Sequence, residues 1–127
     1  MITNDRLPED AGVFVILPLF VYGSLRDPRV RQRVLGERAD LTTIPATLRG
    51  FTRQFVPSFD YPFIVPATPD DRIEGEIILG LTEADYPVLD AYEDVEDGLY
   101  MRIAVSAETA DGQVNAWAYL KGSNAPS

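Results

Sequence analysis

Tyr22-Gly23-Ser24-Leu25 and Glu93 are the residues of this chain whose types and surroundings could do chemistry. The first group ends the apolar run from Val13 to Val21 and stands just before Asp27-Pro28, where a new element begins. A glycine directly after a strand lets the backbone come close to a ligand, and the N–H groups beyond it point into the same space, so the turn could cradle a small anion. An isolated Tyr-Gly-Ser-Leu is equally an ordinary strand-to-helix connection, and the motif needs a partner elsewhere. Glu93 is the candidate. It follows Tyr92 and lies four residues past Leu89, on the flank of an apolar helical stripe and near the C-terminal end of that helix. Partial burial and the negative end of the helix dipole both oppose ionisation there, which would give a carboxyl able to exchange protons near neutral pH. Asp90, Asp94, Glu96 and Asp97 surround it, so the pattern alone leaves a solvated acidic surface equally open.

Composition narrows the chemistry. The chain contains neither cysteine nor histidine. Disulfides, thiol nucleophiles, zinc sites with the usual ligands and every Ser-His-Asp arrangement are thereby excluded, and acid–base work falls to carboxylates, with tyrosine or Lys121 assisting. A serine hydrolase built on Ser24 fares worst, since no histidine is there to activate it. No Asp-x-Asp-x-Asp-Gly loop or similar oxygen cage is present, so neither a metal nor a cofactor is expected. Twenty acidic residues against eleven basic ones give a formal charge of -9, which repels polyanions and argues against nucleic acid as a partner.

The elements that must position these residues are legible in outline. At 127 residues, with 46% hydrophobic and 24% charged, the chain reads as one soluble domain over residues 1–127, its core at about 13–121 and its polar ends fraying. The run from Val13 is too short to cross a bilayer and contains Pro18, while Asp5, Glu9 and Asp10 precede it in place of a cationic leader; the expectation is a cytosolic protein with no membrane partner. Leu19 to Tyr22 reads as a buried strand, and Asp27-Pro28 opens a short helix ending near Gly36, on which Arg29, Arg31 and Arg33 read as a solvated face without a role. Ala46 to Val56 predicts one or two strands with Gly50 as a bend, and Tyr61 to Pro66 an edge or irregular extended segment beside a cleft. Ile73 to Leu79 alternates as a half-buried strand ended by Gly80. Thr82-Glu83-Ala84-Asp85 resembles a capping box for a helix carrying Val88, Leu89 and Tyr92, although Pro87 argues for a later start of the regular helix. Tyr100 to Ala107 and Val114 to Leu120 predict two strands joined near Asp111-Gly112. Mainly strands with two or three short helices give an α+β fold, a twisted or barrel-like sheet with helices packed outside.

Taken together, Tyr22-Gly23-Ser24-Leu25 and Leu89-Asp90-Ala91-Tyr92-Glu93 resemble the γ-glutamylcyclotransferase-like family, and Tyr61 to Pro66, Gly75-Glu76, Tyr100-x-Arg102 and Ala118-Tyr119-Leu120 are similar to family features in the same order. The resemblance implies a small mixed β-barrel-like sheet with flanking helices, a glycine turn whose N–H groups hold a γ-glutamyl or 5-oxoproline moiety, and a catalytic acid/base at Glu93. Leu25 directly after Ser24 is similar to the branch that includes γ-glutamylamine cyclotransferases. Asp94 stands where the family often has glycine. The implied reaction closes a γ-glutamyl compound on itself to release 5-oxoproline, without metal, with Tyr22, Gly23, Ser24, Leu25, Tyr100 and Tyr119 around the substrate; for the tyrosines, core packing is an equal reading. A binding module of the same fold, which holds a small carboxylate-bearing metabolite without turnover, is the alternative. The identity of the γ-glutamyl substrate and the oligomeric state do not follow from the sequence.

Overall fold

The computed structural model describes residues 16–57 and 59–126; the expectations for the charged start and the first part of the apolar run lie outside them. Leu19–Val21 forms strand β1, with every residue buried. Leu19 and Val21 join one core cluster and Phe20 another, so the strand has no solvent side, which accounts for its unbroken apolar sequence. β1 runs antiparallel to β5 (Arg72–Leu79), and β5 pairs along its whole length with β2 (Thr42–Arg49). β2 meets β6 (Tyr100–Thr109) at Thr47↔Glu108, and β6 pairs antiparallel with β7 (Gly112–Lys121). β7 returns parallel to β1 at Leu19↔Trp117 and closes a five-stranded barrel in the order β1-β5-β2-β6-β7. A separate antiparallel pair, β3 (Phe51–Gln54) with β4 (Phe63–Pro66), and two helices, α1 (Pro28–Leu35) and α2 (Asp85–Tyr92), complete the α+β fold that the sequence implies.

The cluster containing Phe20 draws small residues from the strands around it: Ala46, Ala107, Ala116 and Ala118. Gly75 belongs to the same economy of space, since a β-carbon there would stand 2.4 Å from the Val21 carbonyl oxygen and 2.7 Å from the Phe20 ring. The other cluster lies under the helices and the site, gathering Leu19, Val21, Leu25, Phe63, Tyr86, Leu89, Tyr100 and Tyr119.

Two local outcomes differ from the sequence reading, while the start of α2 follows it. α2 buries Asp85, Tyr86 and Leu89, whereas Val88 and Tyr92 are 44% and 40% exposed. Two turns of helix expose most of their surface, and the inward face is set by Tyr86, whose hydroxyl donates to the Leu17 carbonyl. The helix begins at Asp85, three residues after Thr82, so Pro87 falls at its third position, where an N–H has no partner within the helix. Asp85 still reaches back to the Thr82 N–H at 2.8 Å. Burial opposes the charge of Asp85, but Arg38 and that N–H outweigh it and hold the carboxyl below its usual range. The segment from Gly122, read as a fraying tail, is bonded through Asn124 to the turn after α2: Gly122 N–H donates to Leu99 O at 2.9 Å and Asn124 N–H to Gly98 O at 2.9 Å.

Candidate active site

At the end of β1 the chain passes through Tyr22 and Gly23 into one 3₁₀ turn, Ser24–Arg26, closed by Arg26 N–H to Gly23 O and Asp27 N–H to Ser24 O, both at 3.0 Å. Asp27 then caps α1 by accepting the Arg29 N–H at 2.9 Å. Among the described residues no hydrogen bond engages the N–H groups of Gly23, Ser24 or Leu25, as expected where a helical turn begins. Gly23 has φ -126°, so its backbone does not itself demand glycine. A β-carbon there would meet nothing nearer than Pro62 at 4.0 Å and would occupy the open space in front of the turn. Arg31, given no role from sequence, braces this turn from α1: its guanidinium donates to Leu25 O at 2.8 Å and Arg26 O at 3.0 Å. Arg53 of β3 does the same for Tyr22 O at 3.1 Å. Neither has a sequence signal, because each acts through a carbonyl whose position only the fold decides.

Across from the turn, Glu93 caps the C-terminus of α2, its N–H bonded to Leu89 O at 3.0 Å. Asp94 follows at φ 58°, the one non-glycine with positive φ among the described residues, in the backbone region that glycine normally fills. Turn and helix end face each other over a cavity of about 360 Å³. All seven residues singled out from the sequence line it: Tyr22, Gly23, Ser24, Leu25, Glu93, Tyr100 and Tyr119. Phe59, Tyr61 and Pro62 from the loop between β3 and β4 and Tyr92 and Asp94 from the end of α2 complete its wall. Tyr92 escaped the sequence reading as a site residue; its hydroxyl lies 2.8 Å from the Ser24 hydroxyl and ties the two sides together.

The electrostatics of the cavity are lopsided. Among the described residues no lysine or arginine side chain lines it. Glu93 is partly buried, and burial pushes its carboxyl up to about 7. The phenols are held above their ordinary range: Tyr22 by burial and then by its neighbours Tyr100 and Glu93, Tyr100 by burial and then by Glu93, and Tyr119 by burial and then by its bond to Asp90. Each remains protonated and donates that proton to the protein: Tyr22 to the Tyr119 carbonyl, Tyr100 to the Pro62 carbonyl at 3.0 Å, Tyr119 to the Asp90 carboxylate at 2.7 Å. To a ligand the three therefore offer oxygen lone pairs only. The cavity thus has backbone donors on the turn side and acceptors plus the carboxyls of Glu93 and Asp94 on the other, an arrangement suited to a molecule carrying both an anionic and an amine group. Among the described residues no group of three or more acidic side chains is placed to hold a metal ion, and no helix is long and apolar enough to cross a membrane.

Comparison with known proteins agrees with this geometry. The family model described as "Gamma-glutamyl cyclotransferase, AIG2-like" matches residues 19–127. Protein AIG2 C of Arabidopsis thaliana is 32% identical over 93 residues, covering 73% of this chain and 53% of its own length. AIG2-like protein D of the same plant is 36% identical over 86 residues, 68% of this chain and 55% of its own. The chain spans about half the length of these curated relatives. A solution structure of an Arabidopsis thaliana protein superposes with a TM-score of 0.70 at 29% identity, covering 87% of this chain and 71% of that one. The crystal structure of an AIG2-like protein from Mus musculus superposes at 0.68 with 20% identity, covering 87% and 80%, and shares the fold. A structure described as a γ-glutamyl cyclotransferase does likewise at 0.69 with 19% identity, covering 83% and 66%.

Proposed function

This chain belongs to the γ-glutamyl cyclotransferase, AIG2-like family, and from that membership we propose that it catalyses intramolecular acyl transfer on a γ-glutamyl compound, releasing 5-oxoproline and a free amine or amino acid. The observation that carries the reading is the Glu93 carboxyl, raised to about 7 by burial, in a cavity it shares with the N–H groups of the Gly23 turn, which make no hydrogen bond among the described residues.

An amine attacks only when neutral, and a base titrating near the working pH is the one best matched to take its proton and give it back. In the proposed reaction the substrate's α-amine, in its neutral form, bonds through nitrogen to its own γ-carbonyl carbon, and Glu93 accepts the proton that this nitrogen sheds as the bond forms. The bond from that carbon to the leaving nitrogen breaks as Glu93 returns the proton to it. Atoms and charge balance without a covalent enzyme intermediate or a metal. The N–H groups of Gly23, Ser24 and Leu25 hold the carboxylate or carbonyl oxygens of the folded substrate, and the lone pairs of Tyr22, Tyr100 and Tyr119 accept from its amine; fixing the bent conformation supplies the proximity that ring closure needs. The cytoplasm is the expected place of action.

The test incubates the purified protein, with chelator present, against γ-glutamyl amino acids, γ-glutamylamines and glutathione, and measures 5-oxoproline. Release from at least one class is expected. Ligand bound and recovered intact across the panel would replace the enzyme with a binding module.

A further inference from the structure

Asp90 lies three residues before Glu93, on the same last turn of α2. Its carboxylate is gripped at two points by Arg102 of β6, Nε to Oδ1 at 2.9 Å and NH2 to Oδ2 at 3.2 Å, and Oδ1 also accepts the Tyr119 hydroxyl of β7. The guanidinium is itself sandwiched, 4.7 Å from the Tyr86 ring centroid on α2 and 4.5 Å from that of Trp117 on β7. Two parallel bonds from a planar group fix orientation as well as distance, and stacking on two rings leaves that group little freedom. The side chains are only 25% and 28% exposed, so the solvent screens the pair incompletely.

We propose that Arg102 is a positioning residue for Glu93: its two-point grip on Asp90 fixes the last turn of α2 against β6 and β7 and cancels the charge that Asp90 would otherwise set beside the base. The inference rests on the reading of Glu93 as that base. The other titratable groups about Glu93 are the phenols of Tyr22, Tyr100 and Tyr119 from the facing elements, and Tyr92 and Asp94 from its own. Tyr61 also lines the cavity, and Arg53 is bonded to the Tyr22 carbonyl outside that lining. Burial raises the proton affinity of Glu93.

The experiment titrates the Glu93 carboxyl by ¹³C NMR in the full chain without substrate, beside turnover of the best γ-glutamyl substrate. Arg102→Met leaves Asp90 unpaired, and Glu93 is expected to titrate at higher pH than in the parent. Asp90→Asn leaves the guanidinium unpaired, and Glu93 is expected to titrate lower. Arg102→Lys keeps the charge without the two-point grip, so the titration should stay near the parent's while turnover falls, by up to about 10²-fold if the base is displaced by an ångström. Equal shifts in one direction for the two charge-removing variants, no shift in either, or full turnover in Arg102→Lys would overturn the proposal. Should a single variant not fold, the double variant Asp90→Asn/Arg102→Gln decides: a titration at the parent's pH supports the charge balance and a displaced one refutes it. The titration is read without catalysis, so a parent that releases no 5-oxoproline sinks the enzyme reading separately.

Discussion

The residue proposed to carry the chemistry also burdens the fold. Glu93 holds its proton more tightly in the folded protein than the ordinary value of 4.5 for its carboxyl, up to about 7, because burial penalises the charge. That preference favours the folded state fully below the unfolded value and is lost as pH rises through about 7, a loss of at most about 3 kcal/mol at pH 8. Glu93→Gln, which keeps the shape and carries no charge, is therefore expected to unfold at higher denaturant than the parent at pH 8 and at the same denaturant near pH 4. Its turnover should fall by about 10²- to 10⁴-fold, and the parent's activity should climb with pH through about 7. Equal denaturant midpoints at pH 8 would show the carboxyl to be solvated. Gly23 is the complementary case. Because its φ of -126° suits other residues and a β-carbon there faces open cavity, Gly23→Val is expected to fold normally and to lose ligand in calorimetric titration; a variant that fails to fold would locate the glycine's role in the backbone instead. Both were legible, since they stand at local landmarks of the sequence, a strand end and a helix end, and the family resemblance singles out Glu93 among its acidic neighbours. Arg31, Arg53 and Tyr92 were not, since each works by reaching a group that is adjacent only after folding.

At the scale of elements, what the sequence expressed through caps and turn residues came through: the helix from Pro28, the bend at Gly50, and the hairpin joined beside Gly112, which takes a φ of 115°. The inward face of α2 did not. Its burial is chosen by Tyr86 and Leu89 packing onto strands distant in sequence, and eight residues are too few for a clear stripe. The helix ends in a compromise, with Asp94 held at φ 58° beside the acids Glu96 and Asp97. Hydrogen bonding to Asp97, then burial and the charges of Asp97 and Glu96, raise its carboxyl above the usual value. Asp94→Gly is expected to stabilise the protein by about 1 kcal/mol in chemical denaturation by removing backbone strain, without lowering turnover. A destabilised variant would mean that the Asp94 side chain contributes more than its backbone costs. In β5, Gly75→Ala should cost more than about 2 kcal/mol, because the new methyl meets a fixed carbonyl of β1 and a buried ring; an unchanged denaturation midpoint would show that β1 can shift.

For the molecule as a whole, the order of elements foretold a twisted or barrel-like sheet with helices outside, and the structure closes that sheet into a barrel. Closure rests on a parallel contact of β7 with β1, which no local pattern marks. The same contact joins the two walls of the cavity, and the bond from Tyr22 to Tyr119 spans 97 residues of sequence. Such distant pairing carries a large loop-closure entropy and slows folding, to the millisecond-to-second range for barrels of this kind. A nascent chain therefore holds its glycine turn long before the strand that completes the pocket exists, and no folding intermediate lacking β7 has anywhere to bind. Refolding followed by the fluorescence of Trp117 and by capture of a γ-glutamyl ligand should give a single shared rate, with ligand capture never running ahead. The pocket would then be the last thing this domain acquires, and its occupancy a chemical signal that the barrel has closed.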